Sequence, residues 1–409
     1  MRNRFMKLDP WLLGLCSSRV LTYLVFMVYA AALPVLQREW DMSATAAGSI
    51  SGGFQIGYAI SLLIFSIWAD RIGAKRVFLL SMFSTVVTSL LFAFFARSYY
   101  TGFILYTLIG ISMGGSYTPA VMMIADRYAP NDRGRAVGFF IASTSLSYTL
   151  SLFVSGAALQ SGGYRLAFLL TSSGPLLGSI IAWITMASTA NRIYPRRQEQ
   201  KFSKEVLQNK PALLFISGYS LHNWELLGMW AWTPAFLSAC LMLEGSDAWA
   251  AAGSGSQIVG FFHLMGMTAS LTMGALSDKL GRAFMILLIA SISAACSFTM
   301  GWMIGLPFML VVIVGMIYAF TAIGDSPVLS AGMTESVDPS YLGAAFALRS
   351  FVGFGAGAIA PLAFGAVLDV TNPNFATDGF YVAWGWAYCV LGLGGLGAVA
   401  AAYMLFKKK

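Results

Sequence analysis

Charge is what this sequence most lacks. Only 10% of its 409 residues are Asp, Glu, Lys or Arg, while 58% are hydrophobic. An ordinary soluble domain carries about 25% charged residues, so this deficit excludes a chain that folds mainly in water. Histidine is nearly absent, with His222 and His263 as the two copies, and the four cysteines (Cys16, Cys240, Cys296 and Cys389) lie in or at the ends of apolar runs. No CxxC or Cys/His spacing occurs, which excludes a disulfide framework and a zinc site. No GxxxxGK[ST] or HExxH segment occurs either, and the one GxSxG match, "GISMG" (110–114), lies inside an apolar run. An ATP-driven pump and the commonest hydrolase chemistries are therefore not expected, and the reading is of a non-enzyme with no cofactor and no metal.

What is present is apolar length. A helix needs about 20 mostly apolar residues to cross a bilayer. Twelve such runs can be placed: 11–36, 44–68, 77–96, 100–124, 136–159, 166–188, 211–238, 250–275, 283–303, 306–332, 341–368 and 380–406. Each is expected to be helical, because hydrocarbon offers the backbone no other hydrogen-bond partner. The N-terminal "MRNRFMK" ahead of the first run resembles a signal peptide, but the run is long and lacks an A-x-A-like cleavage site, so it is read as a first crossing. Glycines within the runs, as in "GISMGG" (110–115) and "GFGAG" (353–357), permit close approach of helices.

The formal charge of +8 belongs to the loops and not to a nucleic-acid surface. With alternate loops assigned to one side, that side holds Arg2, Arg4, Lys7, Arg71, Lys75, Arg76, Arg127, Arg133, Arg135, Lys279, Arg282 and Lys407–Lys409. It also holds Arg192, Arg196, Arg197, Lys201, Lys204 and Lys210 in the linker, which brings it to 20 of the 25 basic residues. The other side holds Arg38, Arg97 and Arg165. Positive loops face the cytoplasm, so both termini are expected there, in what short loops and the lack of an N-x-[ST] site suggest is a bacterial cytoplasmic membrane. The polar stretch 189–210 divides the chain into an N-terminal six-helix bundle (1–188) and a C-terminal one (211–409).

A repeat supports that division. "SIWADRIGAKR" (66–76) follows the second run and "GALSDKLGRAF" (274–284) the eighth. Aligning Asp70 with Asp278 also aligns Arg71 with Lys279 and Gly73 with Gly281. Each copy is a tight turn with an acid and a base that can latch neighbouring helices. These residues resemble the G-x-x-x-D-[RK]-x-G-[RK] loop of the major facilitator superfamily. The second copy fits through Gly274, Asp278, Lys279, Gly281 and Arg282; the first departs at Ser66 and Ala74. "DRYAPNDRGRAVG" (126–138) is similar to the same superfamily. The resemblance implies an all-α integral membrane protein of twelve transmembrane helices in two six-helix bundles, a cavity opened alternately to each side, and lining by the first, fourth, seventh and tenth helices. It also implies that the repeated loops are conformational latches without substrate contact.

Six ionisable side chains fall inside the runs: Arg19, His222, Glu225, His263, Asp325 and Arg349. A charge at the membrane centre costs roughly 3 kcal/mol on insertion scales, so each calls for a reason. At 1.5 Å per residue, Arg19 lies roughly 15 Å into the first run and Glu225 roughly 20 Å into the seventh, one turn beyond His222. Arg19 is read as an anchor for an anionic substrate, with Tyr23, His222, Trp224 and Arg349 as further substrate contacts. Glu225 is expected to face the cavity and to carry the coupling proton, assisted by His222, with Asp325 as a second proton site. Asp325 and Arg349 lie at similar depth on consecutive helices and are expected to pair. His263 is read as a packing residue.

Two features are missing, one found in many proton-coupled members of the superfamily and one usual in its drug/proton antiporters. The fourth run has Tyr106 where an Arg often precedes Gly110, and the fifth run contains no proline. The function read from the sequence is a secondary transporter, a proton-coupled carrier of small organic or inorganic anions, monomeric and embedded in lipid. The alternatives are an exporter of hydrophobic or cationic compounds and a non-transporting receptor on the same fold.

Overall fold

The computed structural model describes residues 9–193, 206–338, 341–373, 375 and 380–407. The basic residues at 2, 4, 7, 196, 197, 201, 204, 408 and 409, and the middle of the proposed linker, lie outside them. The described chain is helical: α1 (Pro10–Thr22), α2 (Val28–Glu39), α3 (Ala44–Ile72), α4 (Ala74–Phe95), α5 (Tyr99–Met113), α6 (Thr118–Arg127) and α7 (Pro130–Met186) precede the linker. After it come α8 (Lys210–Leu243), α9 (Ala248–Leu280), α10 (Arg282–Met300), α11 (Phe308–Ser336), α12 (Leu342–Thr371) and α13 (Gly385–Phe406).

Among the described residues, eleven helical stretches are long and apolar enough to cross a membrane. The longest, Asp132–Met186, has 55 residues, which at 1.5 Å each is far more than one bilayer of about 30 Å needs. It turns at Gly163, whose φ of 74° and ψ of −172° leave helical geometry and favour a residue without a Cβ. Those eleven stretches are therefore twelve crossings. Their ends follow capping chemistry. Asp9, Ser43, Ser98, Asn209 and Asp247 cap five helices by accepting backbone N–H groups, as short polar side chains do. Gly73 (φ 94°) and Gly281 (φ 92°) each end one helix and begin the next within a single residue.

Two crossings are interrupted. The first leaves the α-helix at Tyr23–Val25 and resumes at Val28; the fourth is broken at Gly114–Ser116. The sequence reading made both continuous. In the first, the freed backbone is bonded by neighbours: Ser147 Oγ donates to the Val20 carbonyl at 2.6 Å, Tyr106 Oη to that of Phe26 at 2.5 Å, and Ser151 Oγ to that of Leu24. Such irregularity is tolerated at membrane depth only when buried in protein.

The first six crossings meet the second six at the end remote from the basic loops. There α3 packs on α12 and α7 on α9. A methyl group at Gly48, Gly52 or Gly365 would overlap the backbone carbonyls of Pro361, Ala358 and Ala44, and Gly156 and Gly253 touch in the same way. Gln37 donates to Tyr381 Oη at 2.8 Å across the same seam. That end is closed by backbone lying against backbone.

Candidate functional site

Each half buries one arginine. Arg19, on α1, is 6% exposed and Arg349, on α12, is 8% exposed. The Arg19 guanidinium lies 4.3 Å from the ring centres of both Tyr23 and Phe140, and 5.4 Å from that of Tyr117. Its Nε donates to Thr144 Oγ1 at 2.7 Å, and its Nη1 is buried with no partner. Arg349 lies 4.0 Å from the Tyr219 ring centre and 4.5 Å from that of Phe346, donates from Nη1 to Ser330 Oγ at 2.8 Å, and leaves Nε without a partner. Tyr117 lies within electrostatic reach of both. Among the described residues, no carboxylate pairs with either arginine. Cation–π contacts are worth about 0.5–2 kcal/mol each, so the rings hold the guanidinium groups in place without neutralising them. Each guanidinium thus keeps a spare donor of the kind that a carboxylate or another oxyanion accepts from.

The break in the first crossing serves this site. Tyr23 begins the irregular turn, stacks on Arg19, and bonds Ser116 Oγ through its hydroxyl at 2.7 Å, at the matching break in the fourth crossing. Tyr23, read from the sequence as a substrate contact, lies beside Arg19. Thr144, Phe140 and Tyr117 are additions: they carry no charge and gave no sequence signal.

Three placements differ from the sequence reading. Asp325 does not pair with Arg349. Its Oδ1 lies 3.0 Å from His222 Nδ1, with both side chains buried, off the line of a good hydrogen bond. The opposite ring nitrogen, Nε2, meets Ser326 Oγ at 3.0 Å. Depth along consecutive helices matched Asp325 to Arg349, but rotation about α11 turns the acid to α8. Glu225 does not face the cleft between the halves. Its Oε1 accepts from Ser293 Oγ of α10 at 2.9 Å, and Oε2 lies against Gly395 of α13. Its environment includes His222 and Asp325, so the three groups form one buried cluster behind the cleft wall. Trp224 also turns away, donating to the Val390 carbonyl at 2.9 Å.

The repeated loops lie at the basic end. In the second, Arg282 pairs with Asp278 and with Glu335 of α11, the latter at 3.0 Å. Around the first, Asn191 donates to the Ile72 carbonyl at 2.8 Å and Lys75 to that of Thr189 at 2.8 Å.

Twelve crossings in two groups, packed against each other at one end, are the architecture of a membrane transporter. The chain belongs to the Major Facilitator Superfamily, whose family model matches residues 15–361. It is 23% identical over 351 residues to the "Probable 4-methylmuconolactone transporter" of Cupriavidus pinatubonensis, a match covering 80% of this chain and 77% of that one. It is 25% identical over 164 residues to the gallate transporter of Pseudomonas putida, covering 40% of this chain and 36% of that one; the match spans only about a third of that relative's length. In fold it is similar to a bacterial homologue of the human lysosomal transporter Spinster in an inward-facing, unoccupied conformation. That likeness has a TM-score of 0.73 at 16% identity, over 98% of this chain and 95% of the other.

Proposed function

We propose that this protein is a secondary carrier of small organic carboxylates, coupled to protons, in which Arg19 and Arg349 hold the carboxylate. The observation that carries the reading is Arg19: a buried guanidinium at membrane depth, aligned by three aromatic rings and one hydroxyl, with a spare donor and no acid beside it. A structural arginine at such depth would be expected to find a carboxylate. The named substrates of two relatives, gallate and 4-methylmuconolactone, are organic acids. The exporter of organic cations is disfavoured, because Glu225 and Asp325 are engaged behind the cleft wall while the cleft itself presents cations.

In this reading Glu225, with His222 and Asp325, takes the coupling proton, since a carboxylate removed from water favours its neutral form. The halves 1–188 and 211–409 are the moving bodies and 189–210 the tether. The turns carrying Asp70, Arg71 and Gly73, and Asp278, Lys279, Gly281 and Arg282, bias the two states without touching substrate. The basic face is cytoplasmic in a bacterial inner membrane, and one chain holds a complete site, so a monomer suffices. With the remote end sealed, substrate reaches the site from the basic side.

Calorimetry on the purified full chain tests this, with benzoate and gallate against tetraphenylphosphonium. Binding of the acids, lost in Arg19→Gln, is expected. Binding of the cation with neither acid would reject the reading.

A further inference from the structure

Beyond the arginines runs an aromatic wall with an unusual end. Tyr23 stacks near Phe26 (centroids 6.0 Å apart, planes at 13°) and Phe26 on Tyr148 (4.5 Å, 27°). Tyr148, from the fifth crossing, reaches across to the second half, lying 5.3 Å from the Trp230 ring and 5.5 Å from the His263 ring, which are 5.2 Å from each other. The wall therefore starts at a cation and ends on a tryptophan and a histidine.

Those last two residues are unsatisfied. Trp230 Nε1 and His263 Nε2 are both buried and neither has a hydrogen-bond partner within the protein; His263 as a whole is 2% exposed. Leaving one buried polar group unpaired costs about 1–3 kcal/mol, and two adjacent ones are not explained by packing. Both line a small cavity within the second half, with room for about one water-sized group, together with Thr233, Phe262 and Tyr318. Trp230 also lines a second small cavity between the halves, with Phe26, Gln55 and Tyr106. Thr233 and Tyr318 are occupied, by Tyr388 and Ser297 respectively. That leaves Trp230 and His263 as the free polar pair of the first cavity's lining.

The chemistry of the pair selects its ligand. Indole N–H only donates, and the free nitrogen of a neutral imidazole accepts when the other carries the proton. One group that accepts from the first while donating to the second is a hydroxyl. We infer that Trp230 and His263 are specificity residues that read a hydroxyl at the end of the substrate remote from its carboxylate, the flat body between lying along Phe26 and Tyr148. This rests on the carboxylate reading above and narrows it to hydroxylated, ring-bearing acids. A site built to bond a hydroxyl discriminates strongly against the analogue without one.

Benzoate and 4-hydroxybenzoate are the probes, titrated calorimetrically into the full-length protein. The hydroxylated acid is expected to bind at least tenfold more tightly. His263→Phe and, separately, Trp230→Phe should remove that preference while leaving benzoate affinity within about twofold, which also shows that each variant is folded. His263→Gln, which retains an acceptor, should recover part of the preference. Equal binding of the two acids by the native protein, lost together in Arg19→Gln, would overturn this inference and leave the carboxylate site standing, as would a preference that survives both aromatic substitutions. Binding of neither acid would remove the carboxylate site and this inference with it.

Discussion

Asp369, at the end of α12, closes on Thr45, at the start of α3. Its Oδ2 accepts the Thr45 backbone N–H at 2.8 Å and the Thr45 hydroxyl at 2.5 Å, while Oδ1 accepts the Ala44 N–H at 2.7 Å. A carboxylate from one half thus satisfies the first free N–H groups of a helix in the other, where the helix dipole favours negative charge. Charge-assisted bonds of this kind contribute about 1.5–3 kcal/mol each, and all of them are made only while the remote end is shut. Asp369→Asn should therefore shift the balance toward opening at that end by tenfold or more. Spin labels at Arg97→Cys and Leu306→Cys, in a background without native cysteines, would report it as a growing population at longer distance. An unchanged distance distribution would show that the glycine seam alone holds this end.

Arg19→Lys keeps the charge and loses the planar fork that stacks between Tyr23 and Phe140. Benzoate affinity should fall about tenfold in this variant and beyond detection in Arg19→Gln. Titration of both variants checks this, and a Lys variant equal to the native protein would mean that only charge matters.

Glu225→Gln preserves size and can still bond Ser293. It should bind acids normally and exchange substrate across vesicles, yet fail to accumulate substrate against a gradient when driven by a pH difference. Intact pH-driven accumulation would make Glu225 structural and move attention to the His222–Asp325 pair.

Asp9, outside the first crossing, offers a pH test. Burial raises its pKa, but the Leu12 backbone N–H, the Tyr128 hydroxyl and the Arg127 guanidinium together outweigh that and hold it below its ordinary value of 3.8. A depressed folded-state pKa contributes stability above the unfolded value, and that contribution is lost as pH falls through the folded one. Asp9→Asn should melt at a lower temperature than the native protein near neutral pH. The gap should narrow below pH 3.8. A gap independent of pH would show that the cap works without its charge.

The twelve crossings were legible because apolar length is a one-dimensional property, and a run such as 44–68 needs only its end extended to become Ala44–Ile72. Rotation was not legible. His222 and Glu225 sit three residues apart on one helix, yet one turns to α11 and the other to α10 and α13. The interruption at Tyr23–Val25 carries neither glycine nor proline; it is stabilised by Ser147, Ser151 and Tyr106 from other helices, which no local reading reaches. Nor does anything in the sequence reveal that a buried nitrogen of His263 will lack a protein partner. Asp369 carries no local signal either, because an acid at the end of a crossing is ordinary and its partner Thr45 lies 324 residues away.

The glycine seam between α3 and α12 makes this protein unusually easy to trap. With carbonyl oxygens already seated where the methyl groups of alanine would stand, the closed junction has no slack. A single added carbon at position 48 or 365 would act as a doorstop, excluding one of the two shapes while leaving the arginine site untouched. One-carbon wedges of this kind would give crystallographers and antibody makers a homogeneous carrier open on the far side, obtained without ligand and without any change of charge.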